Sequence, residues 1–215
     1  ILNLMKEQDL LLIFQESLEG IIETSQIKCL VTEYLEIEKI WTRFLNSLAT
    51  INLVLVAEAP LNSNQYILNK ASKNTPFLYK STLEKCMSAY RNNIHISETT
   101  KIDLMRDLGI IIIEAYPYSL DPKKHKNNFG NLTLESRKVL LNESCSWHLD
   151  KKLETIKVKT TEKTIFGYRY NRNKDFINLI DTDLKFVNLS DAGKKPAYGS
   201  IDEDKLIKIF ADLSM

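Results

Sequence analysis

Apolar positions recur every three or four residues over the first fifty residues and predict two amphipathic helices, over 1–22 and 25–48. In the second helix these positions form one stripe, namely Ile27, Leu30, Tyr34, Ile37, Trp41, Phe44 and Leu48. The first helix is apolar over a wider arc, so we expect it to be covered on more than one side. Both helices therefore need a surface to pack against.

The hydrophobic period then changes, and short apolar runs predict strands. Residues 51–57 and 110–113 are almost wholly apolar, which is typical of parallel strands covered on both faces. Two further strands are expected over 164–170 and 184–189. The helical patterns between and after these strands lie over 81–92, 98–108, 133–154 and beyond residue 200.

Residues at the helix ends have the spacing of capping motifs. Ser81 with Glu84, and Ser200 with Glu203, match the capping box, in which each side chain bonds the backbone of the other residue. Gly109 is expected to end the helix before it, because glycine readily adopts the left-handed conformation of a helix C-terminus.

Strands that alternate with helices favour parallel pairing through right-handed crossovers. We therefore expect a three-layer α/β/α sandwich with a mostly parallel four-stranded sheet and two added N-terminal helices. Neither a repeat nor an interdomain linker is evident, so residues 1–215 are expected to form a single α/β domain. In this prediction residues 1–48 pack as a helical extension on a core over 50–213.

The net charge of +1 indicates no particular partner, but the charges are unevenly distributed. Residues 1–40 hold eight acids and three bases, whereas residues 151–175 hold eight bases and three acids. A basic region can face a polyanion such as DNA, and the acidic helices can face a protein partner. The alternative is that both regions are simply solvated.

Cysteine usage and hydropathy restrict the class of protein. Cys29, Cys86 and Cys145 are odd in number and widely spaced, which indicates reduced thiols in a cytoplasmic protein. Cys145 and His148 have the spacing of half a zinc site, but no second pair accompanies them, so neither a metal nor another cofactor is expected. No apolar run approaches the roughly 20 residues that span a bilayer, so no membrane partner is expected.

Ligands of parallel sheets bind outside the carboxyl ends of the strands, where the irregular segments 58–80, 114–131 and 190–199 should meet. Glu58 directly follows the first strand, where partial burial can fix a carboxylate in a pocket. Pro60 stiffens the turn that directs it. The alternative is that Glu58 only bonds backbone amides of its own loop.

Aromatic and polar side chains of the same segments can surround a planar ring such as a nucleobase. Phe77 and Tyr79 precede a helix, Glu114 and Tyr116 follow the second strand, and Asn188 ends the last. Phe77 can instead fill the space between loop and sheet.

Basic residues of the second and third segments have the chemistry to contact phosphates. They are Lys123, Lys124, Lys126, Lys194 and Lys195, and Tyr198 lies ahead of a helix N-terminus that favours anions. The alternative interpretation is a set of solvated loops. Dinucleotide, phosphate-loop and nucleophile-elbow motifs are absent from the sequence, and no nucleophile–base pair is evident.

The run Val54-Leu-Val-Ala-Glu-Ala-Pro60 resembles the first motif of the uracil-DNA glycosylase superfamily, a strand followed by Gly, an acid or amide, Ala or Asp, Pro and Gly. The resemblance covers roughly residues 50–213 and implies an α/β/α domain. It also implies a catalytic or water-positioning role for Glu58 and base stacking by Phe77. A DNA-inserting loop is implied for residues 188–198.

The chain departs from the superfamily pattern at several positions. Ala57 and Leu61 stand where glycines flank the motif, and Glu114-Ala115 stands where many members have Thr-Asn. No histidine follows His148, although one would stabilise charge on the oxygen of a departing uracil. The resemblance therefore implies a modified base in preference to uracil.

The leading hypothesis is a DNA glycosylase-like hydrolase that cleaves the N-glycosidic bond of a flipped base. One alternative is a catalytically inactive module of the same fold that binds nucleic acid or a protein partner. Another is a small-molecule hydrolase or a nucleotide-binding protein on a similar sheet. The enzyme hypothesis requires that Glu58, Phe77 and the 188–198 loop line one cavity.

Overall fold

The computed structural model describes residues 6–60, 63–72, 78–91, 99–119, 133–169, 184–191 and 201–214. The strands are β1 (Ile51–Ala57), β2 (Ile110–Glu114), β3 (Thr160–Tyr168) and β4 (Phe186–Asn188). The helices are α1 (Glu7–Ser17), α2 (Thr24–Ser47), α3 (Lys80–Arg91), α4 (Lys101–Leu108), α5 (Leu134–Ser144), α6 (Asp150–Ile156) and α7 (Glu203–Leu213). Short turns of 3-10 helix lie at Ser63–Gln65 and Lys157–Lys159, and a π-helical turn at Cys145–Leu149 joins α5 to α6.

The four strands form one sheet in the order β2-β1-β3-β4, and every neighbouring pair is parallel. Helices α3 and α4 connect β1 to β2 and pack together with α7 in one layer. Helices α5 and α6 connect β2 to β3 and lie with α1 and α2 in the other layer. The predicted α/β/α sandwich is confirmed, and the sheet is parallel throughout.

Strands β1 and β2 are buried along nearly their whole length, as their apolar runs predict. Two residues of these strands are polar, Glu114 at the end of β2 and Asn52 in β1, and the Asn52 side-chain amide donates to the Leu108 carbonyl at 2.9 Å and so satisfies the end of α4. Gly109 follows with φ of 68°, which confirms it as the helix terminator. A Cβ at this glycine would lie 2.6 Å from the Thr50 carbonyl oxygen, so no other residue fits there without a backbone shift.

Two predicted capping boxes are wrong. Helix α3 begins at Lys80, so Ser81 lies inside the helix and does not cap it. The N-cap of α7 is Asp202, whose side chain accepts from the Lys205 amide at 3.1 Å. Glu203 instead accepts a 2.6 Å hydrogen bond from Thr82 and so ties α7 to α3. The Asp202 carboxylate also interacts favourably with the dipole of α7.

The outer edge of the sheet at β2 is covered by a side chain from α2. The fully buried Trp41 donates its indole N–H to the Ile112 carbonyl at 2.8 Å. This bond satisfies an acceptor that would otherwise face outward from an edge strand. In the described part of the chain, the helices are all too short or too polar to cross a bilayer.

Candidate functional site

The carboxyl ends of β1 and β2 remain side by side beyond the last residue of each strand. The amide of Ala115 donates to the Ala57 carbonyl at 2.8 Å, and the amide of Tyr116 donates to the Glu58 carbonyl at 2.9 Å. Glu58 therefore has a fixed backbone at the end of a central strand, which is the position where parallel sheets bind ligands.

The Glu58 side chain is held by the first turn of α5. Arg137 donates from Nη1 to Glu58 Oε1 at 3.1 Å, and the hydroxyl of Tyr116 donates to the Arg137 carbonyl at 2.8 Å. The Glu58 side chain is 30% exposed and that of Arg137 is 21% exposed. The carboxylate is thus oriented by an ion pair while part of it remains open to solvent. The structure brings together two predicted site residues, Glu58 and Tyr116, through Arg137, which sequence reasoning missed.

The other described residues predicted for the site lie in different environments. Pro60 is buried two residues after Glu58, and Tyr79 is 62% exposed ahead of α3. Asn188 ends β4, and its side-chain oxygen accepts from the Ser190 amide at 2.9 Å, which turns the chain after the strand. Predicted site residues that lie outside the described residues are Phe77, Lys123, Lys124, Lys126, Lys194, Lys195 and Tyr198.

Glu114 belongs to a buried ionic cluster beneath this edge. Its carboxylate lies 3.4 Å from the ammonium of Lys152, which also lies 2.6 Å from Glu38 Oε1. All three side chains are 3% exposed or less. The Lys152 ammonium also lies 4.8 Å from the centre of the Trp41 ring, a cation–π distance. Glu114 therefore lies in the protein interior, shielded from solvent.

Burial and charge act against each other in setting the pKa values of this cluster. Burial alone would lower the pKa of Lys152, but Glu38 and Glu114 together raise it above its usual value. Burial raises the pKa of Glu114, and the Lys152 ammonium opposes only part of that rise. The hydroxyl of Tyr66 faces the same carboxylates, and its pKa is raised by burial and then by their charge. Lys152 is therefore a protonated counter-ion and not a nucleophile.

His148 is a neutral structural histidine beside the same cluster. Burial, followed by the charge of Lys152, lowers its pKa well below the usual value. Its Nε2 lies 3.0 Å from the Glu114 carbonyl oxygen, which can only accept, so Nε2 carries the proton. Its Nδ1 then carries the lone pair and has no partner among the described residues.

This neutral state predicts a loss of stability in acid. Unfolded His148 binds a proton below about pH 6.5, while the folded form does not, so the free energy of unfolding falls as the pH falls. Between about pH 7 and about pH 5 we expect the natural chain to lose about 2 kcal/mol more than His148→Gln, which keeps an N–H donor. Urea unfolding at each pH measures the difference, and parallel pH profiles for the two proteins would exclude this role for His148.

The cluster residues occupy positions that helical periodicity assigns to the core. Lys152 lies three residues after Leu149 and four before Ile156, and both of these are buried. Glu38 lies next to Ile37 and three residues before Trp41 on the buried side of α2. A charged residue within an apolar helical stripe therefore predicts a buried ion pair. No comparable signal links Glu58 with Arg137, which is 79 residues away in the sequence.

The described residues contain no group of three or more potential metal ligands, and two of their three thiols are buried. Cys145 interacts with Asp150, with Sγ and Oδ1 3.7 Å apart, while His148 faces the Glu114 carbonyl. The three cysteines are free, and burial raises the pKa of Cys86 to about 12 and that of Cys145 to about 11. Such thiols are poor nucleophiles near neutral pH.

Comparison of the chain with protein-family models, with curated proteins and with solved structures gives no match.

Proposed function

We propose that the carboxyl edge of the sheet cleaves the N-glycosidic bond of a base extruded from DNA, with Glu58 as the catalytic carboxylate. The observation that carries the proposal is the position of Glu58, fixed at the end of β1 by Arg137 at 3.1 Å and still 30% exposed. A carboxylate so placed is rigid enough to orient a water molecule and open enough to meet a substrate.

The chemistry of glycosidic cleavage suits an anionic side chain. The sugar gains positive charge as its bond to the base breaks, and a nearby carboxylate stabilises that oxocarbenium-like state. Arg137 holds one oxygen of Glu58, so the second oxygen is the one that would face the substrate. In the hydrolysis the C–N bond breaks and a C–O bond to water forms. The proton of that water passes to the departing base, leaving an abasic sugar.

The proposal is tested with oligonucleotides that carry assorted modified bases, in single-stranded and duplex form. We expect base release, and we expect Glu58→Gln to slow it about a hundredfold, because the amide carries no charge to stabilise the sugar cation. Glu36→Gln is the matched control, since Glu36 is an exposed glutamate on α2, and it should release the base at the natural rate. Equal rates for Glu58→Gln and the natural chain would remove Glu58 from the mechanism.

A catalytically inactive binding module is the second candidate, and the internal bonds of the predicted residues favour it. Glu58 is paired with Arg137, Asn188 accepts from its own turn, and Glu114 is buried with Lys152. Such a module would bind unmodified DNA with an affinity that falls as salt rises, without releasing any base. Absence of both base release and salt-sensitive binding would exclude a role in DNA for either candidate.

The acidic helix α1 is the surface that a protein partner of such a module would use. Leu12 is 59% exposed on this helix, and Asp9 and Glu16, which are three and four residues away, are exposed as well. An exposed leucine within an acidic surface is suited to a basic partner with an apolar contact at its centre.

A further inference from the structure

A cavity lies between α2, the turn at 68–70 and α4, and its lining does not include Glu58. Its volume is about 360 Å³, which is within the range of small-molecule sites. Four of its lining side chains are apolar, three are cationic and none is acidic. They are Ile40, Phe44, Leu68 and Ile102, with Arg43, Lys70 and Arg106, and the lining is completed by Ser47 and Asn69.

The apolar part forms the floor of this cavity. Phe44, Leu68 and Ile102 are each at most 8% exposed, and they belong to the main hydrophobic core. Residues four apart on one helix face the same side, so Ile40 and Phe44 of α2 and Ile102 of α4 present a continuous surface. A ligand that binds here therefore needs an apolar body.

The wall formed by the turn is held in place by internal hydrogen bonds. The Asn69 side chain donates to the Ser63 carbonyl at 2.7 Å and accepts from the Ala71 amide at 3.0 Å. The Ser47 hydroxyl donates to the Phe44 carbonyl at 2.6 Å. The polar groups of Asn69 and Ser47 are thus engaged with the backbone, and charged recognition is left to the basic side chains.

The basic side chains give the rim a net positive charge. Arg106 bonds Asp103 and Asp107, each at 2.9 Å, so its charge is balanced locally. Arg43 and Lys70 are exposed and form no ion pair within 4 Å among the described residues, although the charge of Lys70 reaches Asp103 and, after its hydrogen bond with Thr100 and the charge of Arg106, helps to lower the pKa of that carboxyl. Asp103 and Asp107 balance two of the three cationic side chains at the rim. The remaining positive charge favours a ligand with one negative charge.

From this arrangement we propose that the cavity binds a small organic acid with an apolar body and a single negative charge. The body lies on Phe44, Leu68 and Ile102, and the acidic group meets Arg43 and Lys70 at the rim. This site is separate from Glu58 and does not depend on glycosidic chemistry.

The probe that tests the proposal is cinnamate, with its neutral amide, cinnamamide, as the matched ligand. We expect cinnamate to bind about tenfold more tightly at low salt, the combined effect of two solvent-exposed ion pairs, and to shift the backbone-amide NMR signals of 40–47, 68–70 and 102–106. The preference should shrink as salt screens the rim. Equal binding of the two compounds, or shifts confined to other regions, would overturn the proposal.

Charge variants identify which residues carry the preference. Arg43→Gln and Lys70→Gln alter exposed side chains, so both proteins should fold, and each should reduce cinnamate binding severalfold with cinnamamide binding unchanged. Lys28→Gln is the control, because Lys28 is exposed on the same helix, about 22 Å along its axis from Arg43. A preference for cinnamate that survives in the double variant Arg43→Gln/Lys70→Gln would also overturn the proposal.

Discussion

Replacement of Lys152 by methionine should lower the free energy of unfolding by about 3–5 kcal/mol. Methionine has nearly the length of lysine, so the dominant effect is the loss of charge and not of volume. Glu38 and Glu114 would remain inside the protein without the ammonium that lies 2.6 Å and 3.4 Å from them. Leaving a buried charge without its counter-ion is far more costly than removing an exposed ion pair.

The control for this variant is its immediate neighbour. Lys151 is exposed on α6, so Lys151→Met should change the free energy of unfolding by less than about 0.5 kcal/mol. Urea unfolding followed by circular dichroism measures both variants. If the two substitutions cost the same, Lys152 does not balance buried carboxylates.

A combined variant separates unpaired charge from lost packing. In Lys152→Met with Glu38→Gln and Glu114→Gln, no buried charge remains, and we expect more than half of the lost stability to return. Failure of the combined variant to recover would mean that the lysine stem and its contact with Trp41 matter more than its charge.

Long apolar runs explain why the centre of the fold is predictable from the sequence. Strand β1 occupies the predicted residues 51–57, because a run of branched apolar residues between two helical patterns has few other stable conformations. Strand β3 begins at Thr160, four residues before the predicted start, and the pattern misses this beginning because Thr161, Glu162 and Lys163 are polar and exposed. Thr160 pairs with Ile51, the register then shifts, and regular pairing with β1 resumes at Ile165, which local patterns do not show.

Helix ends and the continuity of helices are less predictable than the strands. The pattern over 133–154 predicts one regular helix, whereas the structure has a π-helical turn at Cys145–Leu149 within it. That turn contains His148 and immediately precedes α6 with Lys152, and the tertiary contacts of these two residues with Glu114 stabilise it. The π-helical turn therefore depends on packing against β2, and hydrophobic periodicity carries no information about that packing.

For the candidate site, the sequence predicts the backbone position of the residues but not their side-chain partners. The position of Glu58 after β1 follows from the strand pattern, but its Arg137 partner is set by how α5 packs over the sheet. Glu114 has the same strand-end position in the sequence and yet is buried. Strand ends therefore indicate where chemistry can occur, while the choice between an exposed and an interior carboxylate depends on the helices above them.

Replacement of Trp41 by alanine should lower the free energy of unfolding by about 3–5 kcal/mol, because it removes the bulkiest fully buried side chain of α2. Trp147→Ala is the matched control, since the second tryptophan of the chain is only half-buried and should cost less. Circular dichroism is the appropriate signal, because both variants lose a fluorophore. Equal losses for the two tryptophans would contradict the position assigned to Trp41.

Trp41→Phe separates the hydrogen bond of this residue from its bulk. Phenylalanine keeps an aromatic ring under Lys152 but leaves the Ile112 carbonyl without its 2.8 Å donor, which should cost about 1–3 kcal/mol. An edge strand with a free acceptor is also a template for pairing with another chain. We therefore expect Trp41→Phe to aggregate faster than Trp147→Phe at equal concentration, as measured by light scattering. Equal aggregation rates would show that the indole does not protect the edge of the sheet, and its contribution would then be confined to the core.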